Sequence, residues 1–245
     1  MSWMFPRRSG IWAPEPREWI LGALYLPVFL FFLNFAILTY FPALGFPLTE
    51  PRNYFFANLL YMTVNFAVML LIFRRTLWQS LREFEGKMLL SVLIGFGMCY
   101  GANLVLTTAY TVLDIMPENY NQEAVNSLLG GYPLAMTLCT VVLAPLAEEC
   151  LFRGVLFAPL ARRCLPAAYA LSMFLFAGMH VFQFLGSMTA ANTILCLSLY
   201  LPASFSLCWV YQKTGNIWAC IFLHMFINFQ SVLASLLRSL MQAFL

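Results

Sequence analysis

The chain has 245 residues with 62% hydrophobic and only 9% charged side chains, and a mean hydropathy of +0.80. Soluble domains carry about 25% charged residues, so this chain cannot cover a globule with ions and reads as a multi-pass membrane protein. Its net charge of +3 is too small and too scattered for nucleic-acid binding.

In chain order, residues 1–18 carry charges and prolines but no cleavable apolar core, and read as a cytoplasmic N-terminal segment that leaves the first span in place. A bilayer core of about 30 Å needs roughly 20 apolar residues per helix. Seven stretches qualify: 19–40, 54–73, 88–113, 133–161, 165–185, 190–212 and 217–240, and an eighth is allowed. The fold class is all-α, a transmembrane bundle forming one integral domain over 1–245. The fourth stretch is long enough to tilt or to break near Pro145, and the last has room for an amphipathic tail.

Lys and Arg set the orientation. Arg7, Arg8 and Arg17 precede the first span, Arg74, Arg75, Arg82 and Lys87 follow the second, Arg162 and Arg163 the fourth, and Lys213 the sixth. All fall on one side, with Trp19, Trp78, Trp209 and Trp218 near it, which predicts N-in and C-out. The opposite loops hold Glu50, Arg52, Asp114, Glu118 and Glu123, and 114–132 is the sizeable one. The seven cysteines lack CxxC spacing and read as buried small hydrophobes. Asn34, Asn65 and Asn103 lie in the first three spans and are expected to bond between helices.

Eight of the ten acidic residues are read as loop or tail residues; the exceptions are Glu148 and Glu149, with Arg153 in the same apolar run. Both histidines, His180 and His224, also fall inside spans. An ionisable group at mid-membrane costs on the order of 2.5 to 3.5 kcal/mol even on lenient insertion scales, so these five groups are expected to face one another around a wet pocket enclosed by the last four spans. Glu149 and Arg153, four apart, lie about 40° from each other around a helix and can pair. Glu148 is rotated about 100° from Glu149. It is expected to point elsewhere, desolvated and free of the arginine, as suits a general base. His224 and Asn228 share a face and could hold a developing oxyanion. Phe176 reads as packing.

The ordered motifs Glu-Glu-x-x-x-Arg (148–153), Phe-x-x-x-His (176–180) and His-x-x-x-Asn (224–228), with a Thr-Gly-Asn turn before the last, resemble the CAAX-processing and bacteriocin-processing (CPBP) intramembrane proteases. The resemblance covers 133–230, the expected catalytic core. It implies that Glu148 and His180 activate a water and that His224 and Asn228 stabilise the tetrahedral oxyanion. Glu149 and Arg153 then support Glu148. The implied partner is a membrane-anchored protein or peptide substrate in the bilayer, without nucleic acid, and the implied location is a bacterial inner membrane. The family's chemistry is usually read as metal-free, so no cofactor is expected. Glu148, His180 and His224 are nevertheless a legitimate zinc set by residue type, although HExxH is missing. Two other classes remain open on the sequence: a proton-linked transporter, against which the lack of an inverted repeat argues, and a non-catalytic immunity or scaffolding protein.

Overall fold

The computed structural model describes residues 14–243; Arg7 and Arg8, used above for orientation, lie outside the described residues. Among those residues seven helices are long and apolar enough to cross a membrane. They are α1 (Pro16–Ala43), α2 (Pro51–Ile72), α4 (Met88–Val112), α6 (Pro133–Ala161), α7 (Leu165–Ser187), α8 (Ala190–Thr214) and α9 (Ile217–Gln242). Two short helices complete the path: α3 (Arg74–Arg82) between α2 and α4, and α5 (Tyr120–Gly131) within the 114–132 loop. The chain is thus an integral, multi-pass helical membrane protein without an eighth span among the described residues.

The helix α6 is the axis of the bundle. Half of its most apolar stretch is buried, against 17% to 33% in the other six. It is also wound unevenly. Wide π-type turns run over Cys139–Leu143 and Cys150–Phe157, each ending two residues before a proline, Pro145 and Pro159. A proline ring clashes with the carbonyl four residues earlier and withholds an N–H, and widening the preceding turns relieves that clash without breaking the span. The expected break near Pro145 is therefore a local unwinding. Apolar packing concentrates around Phe73, Phe152, Phe157, Phe176, Tyr211 and Ile221. A smaller cluster of Phe55, Leu128, Leu129, Met136 and Val232 seats α5 against the bundle.

The basic end is braced by α3. Glu18 was grouped above with the terminal acids, but it is a buried residue of α1, 5% exposed. Its Oε1 accepts from the backbone N–H groups of Arg75 (3.1 Å) and Thr76 (3.2 Å), and its Oε2 from the Thr76 hydroxyl. A carboxylate here satisfies first-turn N–H groups that have no intrahelical partner and sits at the positive end of the helix dipole. The other end of α3 holds α9: Asn216 Nδ2 donates to Ser80 O at 2.7 Å, Ile217 N to Ser80 Oγ at 3.1 Å, and Trp218 Nε1 to Leu77 O at 2.7 Å. Gly215 makes the sharp exit from α8 at φ +62°, the left-handed region open to glycine. Asn216 Oδ1 then caps α9 by accepting from Trp218 N at 2.9 Å. The Thr-Gly-Asn turn is thus a junction of three helices.

Of the three asparagines expected to link spans, Asn65 does so, its Oδ1 accepting from the Tyr25 hydroxyl of α1 at 2.9 Å. Asn103 instead donates to Cys99 Sγ one turn back on its own helix.

Candidate active site

The three motifs meet in the interior. Arg153, fully buried, pairs with Glu149 on α6: Nε lies 3.1 Å from Oε2 and Nη1 3.2 Å from Oε1. Its Nη2 donates to Ser204 O of α8 at 3.2 Å. The pair expected from the four-residue spacing is present, and it reaches further than the spacing indicates.

Glu149 Oε1 is also 2.8 Å from Nδ1 of His224. The other nitrogen of that ring, Nε2, lies 3.8 Å from Glu148 Oε2. One imidazole therefore stands between the two neighbouring carboxylates, which corrects the expectation that Glu148 turns away. Both glutamates lie in the α-helical stretch Ala144–Glu149, and a step of about 100° between them is compatible with each carboxylate facing a different nitrogen of one imidazole. Glu148 has His224 as its imidazole neighbour, and among the described residues no hydrogen bond or ion pair joins Glu148 to His180. His180 Nδ1 is 2.9 Å from the Phe176 carbonyl.

Hydrogen-bond roles follow from the partners. A carbonyl oxygen only accepts, so Nδ1 of His180 donates, and a carboxylate paired with Arg153 likewise accepts from Nδ1 of His224. In each ring Nε2 is then the position left for chemistry, a lone pair when the ring is neutral and an N–H when it is doubly protonated. A separation of 3.8 Å is too long for a direct hydrogen bond and leaves both atoms in reach of one water placed beside them. Glu148 Oε2 is buried without a hydrogen-bond partner, so it is the acceptor that such a water would satisfy.

Phe176 is more than filler. Its ring centroid lies 4.9 Å from that of His180 and 5.5 Å from that of His224, and the Arg153 guanidinium carbon sits 5.0 Å above it. It separates the two imidazoles and covers the cation with a ring face. Asn228 Nδ2 donates to Thr140 O of α6 at 2.8 Å, tying α9 to the wide turn before Pro145. One amide hydrogen remains for another acceptor.

Two features of the packing bear on the expected pocket and on a metal. A groove of about 430 Å³ opens between α4, α7 and α8, lined by Met98, Met173, Leu201, Pro202 and Phe205 among others, none of them a motif residue. Among the described residues no three His, Cys, Asp or Glu groups are disposed to hold a metal ion. As placed, Glu148, His180 and His224 do not fit the zinc set that their residue types would permit.

Sequence reasoning missed Glu18, Thr140, Ser204 and Tyr200. Tyr200 stacks on His180; a phenol in the middle of a span was the available signal, and attention to fully ionisable groups alone passed over it.

The fold and these contacts define a class: a polytopic helical membrane protein with a buried carboxylate and imidazole centre built from α6, α7 and α9. Comparison places the motif region more closely. Residues 130–230 match the family model "Type II CAAX prenyl endopeptidase Rce1-like", in agreement with the motifs. The chain is also similar to the Bacillus subtilis (strain 168) protein named "Putative membrane peptidase YdiL", with 28% identity over 166 residues, 66% of this chain and 64% of that protein. The match thus spans less than two thirds of the relative's length. No solved structure matches.

Proposed function

We propose that the chain is an intramembrane endopeptidase that hydrolyses a peptide bond of a membrane-anchored protein or a peptide precursor. The observation that carries this reading is the buried, unpartnered Glu148 Oε2 facing His224 Nε2 across 3.8 Å. An unsatisfied carboxylate oxygen in an apolar interior is costly, and a hydrolytic water is the chemistry that uses it. The relative's name and the family model over residues 130–230 support the class of reaction.

In the proposed reaction Glu148 accepts a proton from water as its oxygen bonds to the scissile carbonyl carbon. His180, on α7, assists that activation. The oxyanion that forms is held by the free amide hydrogen of Asn228 and by His224 in its doubly protonated form, whose Nε2–H can donate. When the C–N bond breaks, the proton stored on Glu148 passes to the leaving amine. Glu149 and Arg153 touch neither water nor substrate in this scheme. They fix the His224 ring by its Nδ1, leaving Nε2 presented. No metal takes part. The basic end of the bundle is assigned to the cytoplasm of a bacterium, with the chain in its inner membrane.

The test is comparative proteomics of membranes from cells carrying the wild-type protein, Glu148→Ala or His180→Ala, each checked for correct insertion. A precursor that is processed by the wild type and accumulates uncleaved in both variants is the expected result. Full cleavage of an identified substrate by either variant refutes the assignment of that residue. A phenotype retained by Glu148→Gln points to a binding role instead of hydrolysis.

A further inference from the structure

The Phe-x-x-x-His motif gives the His180 ring a hydrogen bond at one edge and a tilted contact with the Phe176 ring, and leaves its stacked face to another residue. That face lies on Tyr200 of α8, with centroids 4.5 Å apart and planes inclined by 24°. Nδ1 is meanwhile held by the Phe176 carbonyl at 2.9 Å. A ring fixed by one edge can still swing about that hydrogen bond; a second contact on its face removes the swing.

The Tyr200 hydroxyl is itself fixed. It donates to Asn119 Oδ1 at 3.0 Å and accepts from Asn121 Nδ2 at 3.2 Å. Both asparagines belong to the turn that opens α5. Asn119 is the cap of that helix, its Oδ1 also accepting from Gln122 N at 3.1 Å. The preceding residue, Glu118, is clamped to α8 by both of its backbone groups: its N–H donates to Asn192 Oδ1 at 2.9 Å and its carbonyl accepts from Asn192 Nδ2 at 3.0 Å. The Cys196 thiol donates to the same carbonyl at 3.1 Å. At the first position of α5, between the two asparagines, Tyr120 stacks on Phe184 of α7 at 6.1 Å. The turn is therefore bonded to the helix that carries Tyr200 and packed on the helix that carries His180.

We propose that Tyr200 is a positioning residue for His180, holding the imidazole by its face and coupling its orientation to the docking of the Asn119–Asn121 turn. The inference rests on the reading of His180 as part of the hydrolytic site. Its physical content is a graded one. Phenylalanine at 200 keeps the ring contact and releases the turn; leucine loses both. Replacing both asparagines by alanine releases the turn and leaves the stack intact.

The chain has two histidines, so histidine-selective isotope labelling gives two imidazoles, assigned with His180→Ala and His224→Ala. In the wild type the His180 ring protons are expected to show an upfield ring-current shift. Tyr200→Phe keeps this shift and broadens the His180 resonances as the turn is released, while Tyr200→Leu moves them toward those of free imidazole and leaves His224 where it was. Asn119→Ala/Asn121→Ala broadens the His180 resonances without that displacement. Turnover is read on a peptide spanning a cleavage site found in the precursor comparison. Tyr200→Leu is expected to lower kcat by about tenfold, the upper range of a stacked aromatic contact, with KM within about twofold. Tyr200→Phe restores kcat.

Unchanged His180 resonances in Tyr200→Leu overturn the proposal, and so does a joint shift of both imidazoles, the mark of a general packing role. Full cleavage by His180→Ala refutes instead the reading of the site on which the proposal rests.

Discussion

Arg153 gives the sharpest test of how the site is held together. The side chain is fully buried and engages Glu149, Ser204 O and the face of Phe176 at once. In Arg153→Met the Glu149 carboxylate stays in the interior with only the His224 Nδ1 donor. Removing one partner of a buried pair costs about 3 to 5 kcal/mol, because the other charge is left uncompensated. In a chain of this size about 1 kcal/mol moves Tm by about 2 to 4 °C, so a fall of about 6 to 20 °C is expected. The double variant Glu149→Gln/Arg153→Met removes both charges of the pair and should recover at least half of that loss. Thermal unfolding can be followed with a thiol-reactive dye, since Cys150, Cys208 and Cys220 are buried in the folded bundle and add to the signal of the exposed Cys164 only as it melts. If Arg153→Met melts within about 2 °C of the wild type, or if the double variant is the less stable of the two, the pair is not what holds this region.

Three further outcomes follow from the packing and the site. Glu18→Gln removes a charged acceptor from the start of α3 and should cost about 1 to 2 kcal/mol, seen as faster amide exchange at 74–82 with α5 unchanged. Gly95→Leu should destabilise by about 1 to 3 kcal/mol, because a Cβ there would lie 2.6 Å from Val210 Cγ2 and 2.9 Å from Leu223 Cδ2. Gly97→Leu, with nothing within 4 Å of the added Cβ, serves as the neutral control in the same unfolding assay. Cleavage should persist after exhaustive chelation, with no stoichiometric zinc in the purified protein. Activity lost on chelation and restored by zinc would show that the site takes a metal in spite of its present geometry.

Span positions are written in the sequence because a bilayer imposes one length on every helix. The third stretch, read as 88–113, is Met88–Val112, and the fourth, 133–161, is Pro133–Ala161. The first span was drawn short because Glu18 looks like a terminal charge. Only contact with α3, 57 residues away at Arg75, makes it an interior group. Within the site, the Glu149 and Arg153 pair follows from local spacing, and so it was legible. The bridge from Glu149 to His224 depends on how α9 packs against an unwound α6, a relation 75 residues apart that no periodicity encodes. The stacking of Tyr200 on His180 was hidden for the same reason. It is decided by the crossing of α7 and α8.

Both imidazoles are tethered through the same atom, Nδ1, one to a carbonyl and the other to a carboxylate. Tethering and chemistry can therefore be taken apart by substitution. An asparagine amide reaches about as far as Nδ1 and a glutamine amide about as far as Nε2. Asparagine at 180 or 224 would retain the anchor and empty the working position, and glutamine would do the reverse. A histidine anchored through Nε2 would give the opposite pattern.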